Sequence, residues 1–241
     1  MEFSEKAVVL KAFGSYDCLS IGKFPLVPLE GNIEVEVQWC GLNFSDLYTR
    51  QGLMYHHKLP MVLGTECVGV IKELGVKTDG FKVGQRVICF DYNGGIFRNI
   101  LRIAPDKCYP LPEYVSNEQG ASLFVNYLTA YFALFELGGL KPHSTVFISS
   151  CAGGVGCAAT QLAKTLEGVT VIGTASLHKK DRVIANGVDH VLSHDNLQEQ
   201  IESVCPNGFD LIIDNQAGNV FTLLQNKLKQ LGKIVLIGEY D

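Results

Sequence analysis

Residues 33–39 alternate strictly between apolar and polar side chains, which predicts a strand with one buried face. Shorter runs rich in β-branched residues recur around it, with glycines between them, at residues 6–10, 67–74, 86–90 and 99–104. Regular short strands separated by turn residues are typical of a compact β-rich domain. Pro110 and Pro112 interrupt the pattern, so we predict that this first domain covers residues 1–116.

From residue 117 onward, predicted strands alternate with predicted helices. The strands are rich in Val and Ile and cover residues 145–148, 169–175, 190–192, 209–214 and 233–237. Helices are predicted at residues 155–163, 178–186, 196–204 and 219–230. This alternation indicates a parallel sheet with helices on both faces, so residues 117–241 are predicted to form a doubly wound α/β domain.

One uncharged segment, residues 119–135, invites comparison with a membrane span. A bilayer-spanning helix needs about 20 apolar residues, whereas this segment is shorter and includes Ser122, Asn126 and Thr129. We therefore predict a buried helix and no transmembrane helix. The charged and polar residues 1–6 also predict no secretory signal peptide.

A glycine-rich turn lies between the strand at residues 145–148 and the helix at residues 155–163. A turn in this place directs free backbone N–H groups and the positive end of the helix dipole at a phosphate. Glycines leave room for a pyrophosphate because they lack a Cβ atom. A glycine motif alone is weak evidence, but its strand–turn–helix context favours dinucleotide binding. The candidate residues are Ala152, Gly153, Gly154, Val155 and Gly156.

The end of the next strand bears on which dinucleotide fits. An NAD site usually carries an acid there for the ribose 2′-hydroxyl, and the sequence from Thr174 to Lys180 contains none. Ser176 can donate a hydrogen bond to a 2′-phosphate, and Lys179 or Lys180 can neutralise its charge. We predict NADPH in preference to NADH, with Thr174 among the cofactor-binding residues. The alternative is that the lysines are a solvated helix start.

Charge and cysteine content limit the function classes. A net charge of -5 without a basic block argues against nucleic-acid binding. Eight cysteines are scattered without a Cys-x-x-Cys pair, which predicts free thiols in a reducing, cytoplasmic compartment. The sequence also contains no polybasic cluster, lipidation signal or basic amphipathic helix for membrane attachment.

Several motifs in the same order resemble one family. They are residues 7–10 (AVVL), 13–14 (FG), 40–47 (CGLNFSDL), 50–52 (RQG), 64–66 (GTE), 84–87 (GQRV), 126–131 (NYLTAY), 152–156 (AGGVG) and 173–176 (GTAS). Over essentially its whole length the chain resembles the medium-chain dehydrogenase/reductase superfamily, in its quinone oxidoreductase branch. The motifs at residues 126–131 and 173–176 are most similar to the synaptic vesicle membrane protein (vesicle amine transport protein) homologues of that branch.

The resemblance implies an N-terminal GroES-like domain on the substrate side and a Rossmann-type domain that binds the dinucleotide. It also implies that the Rossmann-type sheet is incomplete at the C-terminus. Members of the family continue beyond the position of Gly238 and form a homodimer edge there. Gly238 is an implied cofactor contact, as is His194, which stands where the family often has a tyrosine. The adjacent Asp195 makes that place less favourable to an anion.

The resemblance also bears on zinc. Related alcohol dehydrogenases hold catalytic zinc at positions that correspond here to Asn43 or Phe44 and to Thr65. Without thiolate and imidazole ligands a tetrahedral zinc site cannot form. The four clustered cysteines of the structural zinc loop are absent at residues 91–95. His56 and His57 are adjacent in a predicted loop, where such residues are usually solvated, so we predict a zinc-free protein.

By resemblance, Asn43, Tyr48 and Thr65 line the space beside the nicotinamide, with Thr129 near the ring. Amide and hydroxyl groups suit a carbonyl that gains negative charge. Structural roles are the alternatives: a turn for Asn43, a core position for Tyr48 and a strand position for Thr65. A second tyrosine of the quinone pocket aligns with Met54 or Tyr55.

Two functions follow as hypotheses. The first is an NADPH-dependent, zinc-independent reductase that transfers hydride to a quinone or enone. The second is a non-catalytic protein associated with vesicles or organelle membranes, which uses the same fold as a binding scaffold. A reductase must oxidise NADPH, whereas a scaffold needs only to bind its partners.

Overall fold

The computed structural model describes residues 5–54 and 58–238, and it divides the chain into two compact units, Met1–Val125 and Asn126–Asp241. This division falls later than the boundary between residues 116 and 117 that the sequence predicts. Helix α2 (Asn117–Ala121) belongs to the first unit because Ala121 packs with Val68, Ile88 and Leu111. The sequence around the two prolines therefore interrupts the strands without ending the unit.

Besides α2, the described part of the first unit contains two antiparallel sheets and a second helix, α1. In chain order these elements are β1 (Ala7–Leu10), β2 (Leu19–Gly22), β3 (Ile33–Gly41), α1 (Phe44–Gln51), β4 (Met61–Val62), β5 (Glu66–Leu74), β6 (Arg86–Phe90), β7 (Ile100–Ile103) and β8 (Cys108–Pro110). A five-stranded sheet has the order β7-β3-β5-β6-β8, and a three-stranded sheet has the order β2-β1-β4. This arrangement confirms the β-rich domain, in which β2, β4, β8 and α1 are additional to the predicted elements.

The second unit is built on a parallel sheet. Helix α3 (Phe124–Tyr131) leads into it, followed by β9 (Thr145–Ile148), α4 (Gly154–Ala163), β10 (Thr170–Thr174), α5 (Lys180–Ala185), β11 (His190–Leu192), α6 (Leu197–Val204), β12 (Phe209–Asp214), α7 (Gly218–Gln225) and β13 (Leu228–Leu236). The strand order is β11-β10-β9-β12-β13, and all neighbours run parallel.

Alternate residues of the central strand β9 belong to two different cores. Val146 and Ile148 pack with the helices on one face, and Phe147 packs with Ile172 and Ile212 on the other. Such two-sided burial explains why the strands read as continuous apolar runs. It confirms the doubly wound α/β arrangement.

Two predicted helices differ from the observed ones. The segment at residues 119–135 is interrupted at Ser122, whose backbone N–H and hydroxyl both donate to the carbonyl of Gln119 and end α2. A wide helical turn (Phe132–Leu137) then follows α3. The helix predicted at residues 219–230 ends at Gln225. The carbonyl of Lys227 instead accepts a bond from Phe209 N (2.9 Å), so the chain already joins the sheet there. Within residues 5–54 and 58–238, no helix is both long and apolar enough to cross a bilayer.

Candidate functional site

The glycine-rich turn lies between β9 and α4 and is fixed by bonds from β10. Thr174 Oγ1 accepts from Ser150 N (3.0 Å), and the Thr174 carbonyl accepts from Cys151 N (2.9 Å). Gly153 is the N-cap residue of α4, and its own N–H donates to Ser150 O (2.9 Å). Thr174 is fully buried, so in this structure its hydroxyl supports the turn.

The three glycines of the turn have different surroundings. A Cβ atom on Gly156 would lie 2.5 Å from Ser150 O, and one on Gly154 would clash with the side-chain amide of Asn126. A Cβ atom on Gly153 would meet only Ser150 O, at 3.3 Å. Gly154 and Gly156 are therefore required by packing, whereas a Cβ atom on Gly153 would make one tight contact and have no other neighbour within 4 Å. The remaining space, in front of the first amides of a ten-residue helix, fits a phosphate group.

Most other predicted cofactor residues lie at the same edge of the sheet. Ser176, Lys179 and Lys180 are exposed just after β10, and His194 is exposed just after β11. Gly238 is exposed just after β13. Because parallel strands end at one edge, these residues and the glycine turn share it. Thr129 lies in α3 and is half-buried.

Positive charge extends from β10 toward the glycine turn. Burial raises the pKa of the Cys157 thiol in α4, while the charges of Arg182 and Lys179 act in the opposite direction. Both cations are therefore close to the first turn of α4, where an anion would bind. Arg182 follows the lysine pair in α5, where no sequence motif marks it as part of the site.

A buried carboxylate that no sequence motif marks fixes the loop after β12. Asp214 is fully buried and accepts from Ser149 Oγ (2.7 Å), Gln216 N (3.0 Å) and Ala217 N (3.1 Å). Gln216 Nε2 donates to Ser150 Oγ (2.9 Å). These bonds join the loop to the glycine turn at the carboxyl ends of β9 and β12.

In the first unit, Asn43 and Thr65 lie together with two acids. Asn43 is the N-cap residue of α1, and its backbone N–H donates to Asp46 Oδ2 (2.9 Å). Its side-chain nitrogen lies 2.9 Å from Glu66 Oε1 and 3.4 Å from Thr65 Oγ1. Glu66 Oε2 accepts from Val125 N (2.9 Å). Both acids lie within motifs that carry the family resemblance, but nothing in the sequence assigns them a role.

Burial dominates the electrostatics of these two acids. It raises the pKa of Asp46 to about 6, with the charge of Glu66 acting in the same direction and the bond from Asn43 opposing it. Burial also raises the pKa of Glu66, against hydrogen bonds from Asn43, Val125 and Phe124. Neither acid has an ion-pair partner among the salt bridges of the described residues. The polar cluster is thus held by amide donors and hydroxyls.

Tyr48 lies on α1 and is half-buried, with its ring centroid 6.3 Å from that of Phe44. Tyr55, His56 and His57 are outside the described residues, so their predicted roles stay predictions. In the part of the chain that is described, no three His, Cys, Asp or Glu residues group as metal ligands. The zinc-free interpretation stays a prediction as well.

Two family models match the two units separately. One, described as "Alcohol dehydrogenase GroES-like domain", matches residues 29–113, and the other, described as "Zinc-binding dehydrogenase", matches residues 154–240. The first match lies within the β-rich first unit and the second within the α/β second unit.

Similarity to individual proteins covers nearly the whole chain. The "Synaptic vesicle membrane protein VAT-1 homolog" of Danio rerio is 38% identical over 98% of this chain, which spans 50% of that relative's length. The "Quinone oxidoreductase" of Mus musculus is 33% identical, and the match covers 97% of this chain and 73% of the relative.

A solved structure agrees with these relatives. The Escherichia coli quinone oxidoreductase complexed with NADPH superimposes with a TM-score of 0.89 and 29% identity, over 95% of this chain and 72% of the other. The chain therefore belongs to the medium-chain dehydrogenase/reductase superfamily, as a quinone oxidoreductase-like protein related to the synaptic vesicle membrane protein VAT-1.

Proposed function

We propose that the chain forms part of an NADPH-dependent, zinc-independent reductase that transfers hydride to a quinone or an enone. The observation that carries this proposal is the space beside Gly153 at the start of α4, where Ser150 O is the one neighbour that a Cβ atom would meet within 4 Å. It lies on the sheet edge where Ser176, Lys179 and Lys180 follow β10 without an acid. The solved relative from Escherichia coli, whose title names NADPH, supports the same cofactor.

The residues present fit the phosphate groups of the dinucleotide. The first amides of α4 would hold the pyrophosphate beside Gly153. Ser176, Lys179 and Lys180 would hold the 2′-phosphate, and Arg182 adds positive charge close by. When bound, the reduced nicotinamide supplies the hydride.

The polar cluster of the first unit supports reduction of the acceptor without zinc. By resemblance, Asn43 or Phe44 and Thr65 stand at the zinc-ligand positions of the related alcohol dehydrogenases. An amide and a hydroxyl do not bind zinc as a thiolate and an imidazole do, but they can stabilise a carbonyl oxygen as negative charge develops on it. Tyr48 would contribute a further hydroxyl.

Titration of the 241-residue chain with NADPH and with NADH tests the cofactor, followed by NADPH oxidation with 1,4-benzoquinone and with an enone. Micromolar NADPH binding, weaker NADH binding and turnover of either acceptor are expected. A folded chain that binds neither dinucleotide contradicts the proposal.

A non-catalytic role is the second candidate, favoured by the relatives named as synaptic vesicle membrane proteins. Trp39, Leu42 and Phe44 are exposed on the first unit, where a partner or a peripheral membrane contact could bury them. This function predicts NADPH binding without turnover, together with sedimentation on lipid vesicles. Homodimer formation and a cytoplasmic location stay proposals, the latter supported by eight free cysteines.

A further inference from the structure

Glu66 restricts the orientation of the Asn43 side chain. Burial opposes ionisation of Glu66, but the groups bonded to its carboxyl are N–H donors, from Val125, Phe124 and Asn43, and these favour the ionised form. An ionised carboxylate can only accept hydrogen bonds, so the atom of Asn43 that lies 2.9 Å from Glu66 Oε1 is the amide nitrogen. In other surroundings the oxygen and nitrogen of an asparagine side chain can exchange places. Here the buried acid favours one of the two orientations.

The second N–H of the same amide determines what Thr65 can do. The Asn43 nitrogen also lies 3.4 Å from Thr65 Oγ1, a long contact in which nitrogen is the donor. Thr65 Oγ1 therefore accepts from Asn43, and the hydroxyl proton of Thr65 must point away from Asn43. That proton is then available to another acceptor.

Glu66 itself is held rigidly. It is fully buried at the start of β5, and its second oxygen accepts from Val125 N at 2.9 Å. The backbone of Phe124 also bonds to this carboxylate, so the first amides of α3 are directed at it. A carboxylate fixed at both oxygens cannot turn away from Asn43.

We propose that Glu66 is a positioning residue, which holds Asn43 with its amide nitrogen toward Thr65 and thereby directs the Thr65 hydroxyl proton to the carbonyl oxygen of the acceptor. This inference rests on the proposed reductase function. It divides the roles of two residues that look equivalent in the sequence: Thr65 donates to the acceptor, and Asn43 orients Thr65.

A double-mutant cycle measures the coupling. Glu66→Gln offers an amide that can accept or donate, so Asn43 is no longer restricted to one orientation. We expect the kcat for quinone reduction to fall about tenfold, with an unchanged Kd for NADPH. Thr65→Val should lower kcat by a similar factor, and adding Glu66→Gln to Thr65→Val should cost nothing further. In a Thr65→Ser background, which keeps the hydroxyl, the loss caused by Glu66→Gln should persist.

Additive losses in the cycle would overturn the inference, because a general structural effect of Glu66 does not depend on the Thr65 hydroxyl. Circular dichroism and the melting temperature of each variant establish that it folds.

A measurement on the unmutated chain is independent of turnover and of variant folding. With ¹⁵N-labelled asparagine, the side-chain amide protons of Asn43 should show nuclear Overhauser contacts to the Thr65 methyl group. An Asn43 amide whose protons show none has its oxygen toward Thr65, and the inference then fails. A chain that binds NADPH but does not reduce quinones contradicts the proposed function alone, and the amide orientation still decides the role of Glu66.

Discussion

A Cβ atom on Gly156 would lie 2.5 Å from the carbonyl oxygen of Ser150 and 2.7 Å from Cys151 Cα. Both neighbours are backbone atoms of the turn itself, so they cannot move aside cheaply. We therefore expect Gly156→Ala to destabilise the second unit by about 2–3 kcal/mol through overpacking. Thermal denaturation followed by circular dichroism measures this loss. An unchanged melting temperature would show that α4 is not packed as closely on the turn as the structure indicates.

Gly153→Ala is the matched substitution, with a different expected result. The added Cβ atom meets one atom, Ser150 O at 3.3 Å, a tight contact that a small shift of the turn relieves, so the melting temperature should fall much less than for Gly156→Ala. The methyl group would also occupy the space in front of α4, where the pyrophosphate is proposed to bind. We expect the Kd for NADPH to rise about tenfold, measured by fluorescence titration. Unchanged NADPH affinity would place the pyrophosphate elsewhere.

The two units differ in how far the sequence predicts their strands and helices. Apolar runs such as residues 145–148 gave the strands of the parallel sheet correctly, because both of its faces are buried. In the described part of the chain, β2 and β4 each pair with β1 alone, and strands this short leave no periodic pattern in the sequence. The end of α7 was predicted too late because the bond between Phe209 and Lys227 is a tertiary contact.

The candidate site was predictable where a residue acts through its type and unpredictable where it acts through its contacts. The glycines, Ser176 and the lysines follow from the strand–turn–helix pattern. Glu66 and Asp214 lie in apolar strands, and only their burial and hydrogen-bond partners show what each contacts: Glu66 accepts from the Asn43 side chain, and Asp214 accepts from the loop after β12. No short-range pattern encodes those partners, since Ser149 and Asp214 are 65 residues apart.

Cofactor preference should respond to the residues after β10. Ser176→Asp places an acid where a 2′-phosphate is proposed to bind and where a 2′-hydroxyl would be accepted. We expect NADPH to bind at least about tenfold more weakly and NADH to bind equally well or better. Lys179→Ala should weaken NADPH alone, and less so at high salt. Lys141→Ala is the control, because this exposed lysine precedes the opposite end of β9. An equal effect of all three substitutions on NADPH would contradict the assignment.

Asp46 should make the first unit less stable as the pH rises from about 4 to about 6. Its pKa is raised from 3.8 to about 6 on folding, so the folded state binds the proton more tightly than the unfolded state. The stabilisation by this proton is complete below about pH 4 and is lost above about pH 6, for a total of roughly 2–3 kcal/mol.

Asp46→Asn isolates this contribution. An asparagine oxygen can still accept from Asn43 N, but the side chain no longer ionises. The difference in unfolding free energy between variant and parent should therefore grow in favour of the variant between about pH 4 and pH 6 and stay constant above it. The single tryptophan, Trp39, lies in β3 and reports unfolding of this unit by fluorescence. A difference that does not vary with pH would show that Asp46 titrates normally.

At position 217, glycine is expected to give a more stable protein than the alanine that is present. Its backbone has φ 57 and ψ -156, a combination that a Cβ atom strongly disfavours. Asp214 holds it there by accepting from Ala217 N at 3.1 Å. Ala217→Gly should therefore stabilise the second unit by about 1 kcal/mol, although glycine usually costs stability through backbone entropy.

Asp214→Ala removes the carboxylate that holds the strained residue and should destabilise the second unit by about 2–4 kcal/mol, since three donors lose their acceptor. Chemical denaturation of both variants measures these changes. Destabilisation by Ala217→Gly would mean that this loop relaxes to an ordinary conformation in solution, in which case the bonds that Asp214 accepts do not determine its shape.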